Sequence, residues 1–373
     1  MSVTFDLVAQ IYASAGPAML GLLVSIVGFP GLIFGTTAGI FVEGLGYRRV
    51  LLGALVAGAG LSALESLMLP LPVMLALRVA EGMAHLAIVV AAPVLIAQIA
   101  PASRQGLAMT LWSSFFGVAY SALALFGRPL ALAFGEPSLF LAHAAYMLGI
   151  AALLLRLLPA DLPRKPLHLS PQALLRQHAD IYTSPYVAAP AFGFVCYTII
   201  YVAVLTLLPP FAGGAVQILL ATGMPLASIA VSLTLGVWLL GQVSAVRAAM
   251  VGFTVALLAA IALGLGWGQP VVTVAASLTL AGALGLVQGA SFSAIPQLNP
   301  TIGERARAAG AVAQMGNLGT TVGTPLLSAV ILSGGSRGMA GFVALFAFLG
   351  IALHLWQAQR RQLRTMVPPP ACH

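Results

Sequence analysis

Leu77-Arg78-Val79-Ala80-Glu81-Gly82-Met83-Ala84-His85 sits inside an apolar run from Pro72 to Gln98. As a helix that run is long enough to cross a bilayer core, which takes about 20 residues. Arg78, Glu81 and His85 fall at i, i+3 and i+7, so a helix presents all three on one face. An ionised side chain at mid-depth costs at least ~2.5–3.5 kcal/mol unless a partner or water meets it. Two readings follow. The three residues form a structural ion pair that locks helices together, or they line a substrate or proton path. Both can hold at once.

The rest of the chain repeats the apolar theme. Of its 373 residues 60% are hydrophobic and 6% charged, against about 25% charged in a soluble domain. A soluble globular fold is excluded. The alternating segments of about ten residues that build a membrane β-barrel are absent. The expected fold class is therefore an all-α membrane protein. Eleven spans are expected, at roughly 17–41, 50–69, 72–98, 107–127, 138–158, 187–209, 217–240, 247–267, 270–296, 308–332 and 339–357. Residues 1–16 hold Asp6 as their only charge and read as a short exposed lead-in rather than a cleavable signal. The chain divides into a five-helix half (1–158), a linker (159–186), a six-helix half (187–357) and a basic, then proline-rich tail (358–373).

The basic residues orient these spans. Of the 16 Lys and Arg, 13 fall in one set of connections: Arg48, Arg49, Arg104, Arg156, Arg164, Lys165, Arg176, Arg247, Arg305, Arg307, Arg360, Arg361 and Arg364. The opposite set holds Arg128 and Arg337, and Arg78 lies within a span. The positive-inside bias makes the linker and the C-terminus cytoplasmic, in an inner (plasma) membrane protein. The net charge of +8 is thus a topology signal and does not point to nucleic acid. Cys196 and Cys372 offer no disulfide framework.

Gly31, Gly35 and Gly39 recur at spacing four, a stripe that lets helix backbones approach closely in lipid. Pro30 and Pro93 predict kinks. A hairpin turning near residues 70–71 brings Glu65 level with residues 76–77, so Glu65 and Arg78 are expected to form a structural pair. That leaves Glu81 and His85 freer to titrate. A second polar stripe, Gln314, Asn317, Thr321 and Thr324, follows one face of the tenth span. Phe194, Tyr197, Thr198 and Tyr201 mark a face of the sixth span, and Gln288, Ser291 and Phe292 cluster in the ninth. For these polar and aromatic faces, packing and interhelical hydrogen bonding compete with substrate contact.

Gly39-Ile-Phe-Val-Glu43-Gly-Leu-Gly46-Tyr-Arg48-Arg49 resembles the cytoplasmic loop signature of the major facilitator superfamily: a glycine, an acid, a second glycine and a basic pair. Glu43 stands where that family usually has aspartate, and Gly44 where it often has arginine. The resemblance implies a conformational latch. Independently of it, Glu43 suits a neighbouring helix end and Gly46 a sharp turn. Arg78-Val-Ala-Glu81-Gly82 is similar to the family's arginine–glycine signature, and Pro101-Ala-Ser-Arg104-Gln-Gly106 to the loop that follows it. The glycine–proline motif of many drug antiporters is absent; Trp112-Ser-Ser-Phe-Phe-Gly-Val-Ala-Tyr120-Ser121 stands in its place.

Leu284-Gly-Leu-Val-Gln288-Gly289-Ala-Ser291 parallels the stretch from Leu77 to Ala84, as expected of two halves related by duplication. Glu81 then matches Gln288, and Arg78 matches Gly285. Charges found in one copy alone are harder to explain as scaffold. The family has twelve spans, so the resemblance implies a first helix missing before residue 1, with a mis-assigned start expected.

No phosphate-cradling loop and no metal-ligand spacing occurs. No enzyme activity, no cofactor and no metal are expected. The expected function is secondary active transport of a small polar solute by alternating access, coupled to protons that Glu81 and His85 would carry. The alternatives are a drug or metabolite efflux pump, and a transport-inactive relative acting as a membrane receptor or scaffold. The candidate path residues are Arg78, Glu81, His85, Tyr120, Tyr197, Gln288, Gln314, Asn317 and Thr321. The expected partners are the lipid bilayer and a small-molecule substrate, with a monomer as the oligomeric state.

Overall fold

The computed structural model describes residues 4–15, 17–161 and 170–366, and every regular element among them is helical. The first half holds α1 (Phe5–Ile11), α2 (Pro17–Ser25), α3 (Phe29–Leu45), α4 (Tyr47–Glu65) and α5 (Leu71–Ile99). It continues through α6 (Gln105–Ser113), α7 (Phe115–Ala122), α8 (Arg128–Phe134) and α9 (Pro137–Leu157). After α10 (Pro171–Thr183), the second half comprises α11 (Ala189–Ala212), α12 (Gly214–Val231), α13 (Val237–Leu240), α14 (Ala245–Leu265), α15 (Pro270–Leu298) and α16 (Ile302–Met366).

Among the described residues nine helices are long and apolar enough to cross a membrane, where the sequence led us to expect eleven spans. Two features account for the difference. The span expected at 107–127 is broken at Ser114 and interrupted again by a π-helical turn, Leu123–Gly127, before it ends at Phe134. The last two expected spans lie on α16 and meet at Gly335, whose φ of 55° and ψ of −139° are not helical. Gly338 packs on the carbonyl of Val330, so the chain reverses there and the two arms run side by side. Pro30 stands in the first turn of α3, just after a 3-10 turn at Ile26–Gly28, and α5 continues as helix through Pro93.

Within the first half α4 packs on α5 and α9, and α3 on α5. In the second, α11 lies along α16, α14 against α15 and α16, and α12 on α15. The halves meet where α3 runs along α16, α6 along α15, and α5 touches α16.

The glycine stripe makes the α3–α16 contact possible. A Cβ on Gly39 would stand 2.5 Å from the carbonyl oxygen of Ala306, and one on Gly35 would stand 2.6 Å from Cβ of Gln314. From the other side, a Cβ on Gly310 would stand 2.5 Å from the Gly35 carbonyl. Gly31 faces Asn317, whereas Gly21 on α2 has open space around it. The halves therefore touch closely at the end where α3 finishes and α16 begins. Gly35→Val should wedge this end apart. Overpacking costs ~1–3 kcal/mol, and ~1.4 kcal/mol is tenfold in a population. In a chain whose own cysteines are replaced, Ala306→Cys, at a fully buried position, should then react with a thiol reagent roughly tenfold faster. An unchanged rate would show that the stripe does not set closure.

The polar composition of the linker predicts a solvated segment. It contains α10, capped by the Ser170 side chain, which accepts from the backbone N–H of Ala173. Ile181 of α10 is buried. Arg164, Lys165 and His168 of the linker lie outside the described residues. Asp161, just before them, accepts from the backbone N–H groups of Arg48 and Arg49 at 3.0 Å each and so caps α4.

Candidate functional site

His85 is the central residue of α5, and Glu81 and Arg78 stand one and two turns toward its N-terminus. Arg78 is the hub. Its Nη1 lies 3.7 Å from Glu65 of α4 and bonds directly to Glu81, while its Nε donates to the Leu23 carbonyl at 3.0 Å. The Glu65–Arg78 approach is thus present, and Glu81 is the nearer partner. Glu65 is fully buried, and among the described residues no hydrogen-bond donor meets either carboxylate oxygen. The packing of α4 against α9 adds a pair that sequence spacing could not show: Ser62 Oγ and His143 Nδ1 are 2.7 Å apart. Tyr12 follows α1 and closes over this end of the bundle, its hydroxyl donating to the Leu69 carbonyl at 2.7 Å.

His85 stays accessible deep in the fold because it faces a small pocket between α3, α5 and α16, together with Val27, Gly31, Gly82 and Asn317. This pocket joins a polar residue from each half. A larger apolar groove between α4 and α5, lined by Gly53, Ala57, Ala80, Met83 and Ala87, carries no such pairing; its chemistry suits lipid or helix packing rather than a polar solute.

The other expected path residues take varied positions. Gln314 accepts from the Tyr182 hydroxyl at 2.6 Å and donates to the Leu32 carbonyl at 2.8 Å. Asn317 donates to the Ala313 carbonyl, and Thr321 to that of Asn317. Tyr197 is buried against Tyr201 and Phe194, and Phe194 meets Phe292 edge-on. Tyr120 lies on α7, but its side chain is outside the described residues. Gln288 donates from Nε2 to the carbonyl of Ser113 at 2.6 Å. The break at Ser114 frees that carbonyl from its helix, and Gln288 satisfies it from the other half. Gln288→Leu should leave it buried and unpaired, which costs about 1–3 kcal/mol. Thermal unfolding of the purified protein checks this; an unchanged midpoint would mean the bond contributes nothing net.

The loop motif gathers at the closed end. Gly46 joins α3 to α4 with φ 104°, a conformation that favours glycine. Glu43 lies against Gly303 and 3.9 Å from Nε of Arg307, at the start of α16. Tyr47 donates to the Ile302 carbonyl at 3.2 Å, and Arg305 Nη1 reaches the Ala97 carbonyl at 3.4 Å. Arg48 Nη2 donates to the Leu155 carbonyl, and the Arg49 side chain borders the α4–α5 groove. From the linker, His178 Nδ1 stands 2.8 Å from Thr36 Oγ1 of α3. Through Tyr182 and Gln314, α10 therefore touches both halves. Burial pushes the Tyr182 phenol above its usual titration range, so it remains a donor.

The family model described as Major Facilitator Superfamily matches residues 2–301. No functionally curated protein sequence matches the chain. Among solved structures, the human organic anion transporter MFSD10 (TETRAN) is 18% identical with a TM-score of 0.74, over 95% of this chain and 88% of that one. A variant of the E. coli fucose:proton symporter FucP is 17% identical with a TM-score of 0.75, over 95% and 94%. FucP in the outward conformation is also 17% identical, with a TM-score of 0.73, over 95% and 96%. At these identities the likeness is one of fold.

Proposed function

Because the chain belongs to the Major Facilitator Superfamily, we propose that it is a proton-coupled secondary transporter of a small polar solute, working by alternating access. The observation that carries the reading is the cluster of buried Glu65 with partly buried Arg78 and Glu81, within or beside membrane-crossing helices, with His85 of the same helix face opening on an interhalf pocket. Ionisable groups at such depth mark substrate or proton paths, and sites in these folds lie near the midplane between repeats. His85 and Asn317 are the polar groups of a pocket of about 20 Å³, room for a single water, so a solute reaches them once the halves part. Arg78 is already engaged by two carboxyls and a carbonyl, which favours a neutral polar solute over an organic anion.

The charge bias of the connections supports a cytoplasmic location for the closed end, and with it an inner or plasma membrane protein whose C-terminus is cytoplasmic. The hydrogen bonds and ion pairs described between the halves lie at that end or near the middle. On this orientation the conformation opens outward. Alternating access then breaks the contacts of Glu43, Tyr47 and Arg305 as the halves rock. The protein acts as a monomer, each copy carrying its own pocket.

Cells expressing the protein test the reading with labelled sugars, polyols and amino acids at external pH 5.5 and 7.5, values chosen around neutrality. Uptake of at least one solute above that of control cells, faster at the lower pH, is the expected result. Outward movement alone would make it an efflux pump, and no movement of any solute would make it a receptor or scaffold. Orientation is checked separately: cysteines at residues 170–186 should react with an impermeant reagent in inverted vesicles and not in intact cells.

A further inference from the structure

Glu65 poses a problem of charge. It is fully buried at the end of α4, and among the described residues it meets no hydrogen-bond donor as a carboxylate. Among the described residues its nearby cation is Arg78, which stands 3.7 Å away and is committed elsewhere, through Nη1 to Glu81 and through Nε to the Leu23 carbonyl. The other titratable groups around the cluster do not relieve it. The Tyr12 hydroxyl donates to the Leu69 carbonyl, the His143 ring is paired with Ser62, and His85 faces the pocket. Two carboxylates against one guanidinium leave an uncompensated negative charge in a buried place, which is strongly unfavourable. One nitrogen, Nη1 of Arg78, lies against an oxygen of each carboxyl, so the Glu65 and Glu81 side chains are neighbours. Two carboxylates cannot hydrogen-bond; a carboxyl and a carboxylate can, and close like charges hold back one ionisation.

We propose that Glu65 and Glu81 form a carboxyl–carboxylate pair that holds a single proton between them beside Arg78. With that proton the trio is neutral and each group has a partner. The proton is then shared across two helices, α4 and α5, and belongs to the pair rather than to either residue. A movement that separates α4 from α5, or draws Arg78 toward one of the two carboxyls, releases it. This rests on the proposed function in taking the cluster as the proton site, and its test is independent of transport.

The test is the infrared absorption of protonated carboxyl groups in the purified full-length protein at neutral pH, compared between wild type and variants. Glu65→Gln should remove one carboxyl's absorbance, because Glu81 then ionises against Arg78 alone. Glu81→Gln should remove the same amount, because Glu65 then takes Arg78. The double variant should lose no more than either single one, since there is only one proton to lose. Arg78→Gln should gain one carboxyl's absorbance. Losses that add in the double variant, a loss confined to one of the two residues, or no loss at all would each overturn the pair. Should Glu65→Gln fail to fold, Glu81→Gln decides alone: retention of the full carboxyl absorbance would refute the sharing. A failure to move solute in the cell assay leaves this outcome untouched, so the two ideas fail separately.

Discussion

Glu81→Gln is expected to abolish solute accumulation driven by a pH gradient while leaving exchange down a solute gradient intact. The amide keeps the size of the carboxyl, and Gln288 shows that the matching helix of the second half carries an amide at the equivalent place. What the substitution removes is the proton. One pH unit supplies about 1.4 kcal/mol per coupled proton, enough for roughly tenfold accumulation. In proteoliposomes the wild type should approach that ratio, and Glu81→Gln should fall to about equal concentrations on both sides. Its exchange of labelled for unlabelled solute should continue, because the pocket groups His85 and Asn317 are unaltered. Accumulation at the wild-type level would return Glu81 to a purely structural role.

Arg78→Ala should be the most destabilising single change in the first half. It strips the shared cation from Glu65 and Glu81 and removes the donor to the Leu23 carbonyl. Leaving a buried charge without its partner costs about 3–5 kcal/mol. Glu65→Gln with Arg78→Gln should cost less than Arg78→Gln alone, because the remaining carboxyl no longer faces a second one. A double-mutant cycle on thermal or denaturant unfolding reads the coupling, expected at ~0.5–3 kcal/mol for contacting residues. Strict additivity would mean that Glu65 and Arg78 do not interact. Arg78→Lys should also impair the protein, since an ammonium cannot reproduce the planar fork that serves Glu81 and Leu23 together.

The parts of this fold that were legible in the sequence are those set by local spacing. Glycines at spacing four had to lie on one helix face, and Gly31, Gly35 and Gly39 do so against α16. A tight hairpin had to bring Glu65 near Arg78, and it does. Long-range pairings were not legible. Ser62 and His143 are 81 residues apart, and Thr36 and His178 are 142 apart; their meeting depends on how α4 packs on α9 and α10 on α3. Nothing in the polar stripe of α16 showed that Gln314 reaches a tyrosine of the linker. The linker helix itself was hidden by polar composition, although Ser170-Pro171 is a capping pair with proline in the first turn. The break at Ser114 and the π-helical turn beyond it fall in a run, residues 106–127, that holds neither a charged residue nor a proline. Hydropathy reports where a chain enters lipid, not whether its hydrogen bonds follow one register.

On the proposed function, a proton moves with the solute through the Glu65–Arg78–Glu81 cluster. Proteoliposomes enclosing a pH-sensitive dye, challenged with the sugars, polyols and amino acids of the uptake panel, test it most directly. A transported solute should drive a change of internal pH with the wild-type protein, and the same solute should cross Glu81→Gln vesicles with the internal pH flat. Solute entry through the wild type without a pH change, or an equal pH change with Glu81→Gln, would contradict it.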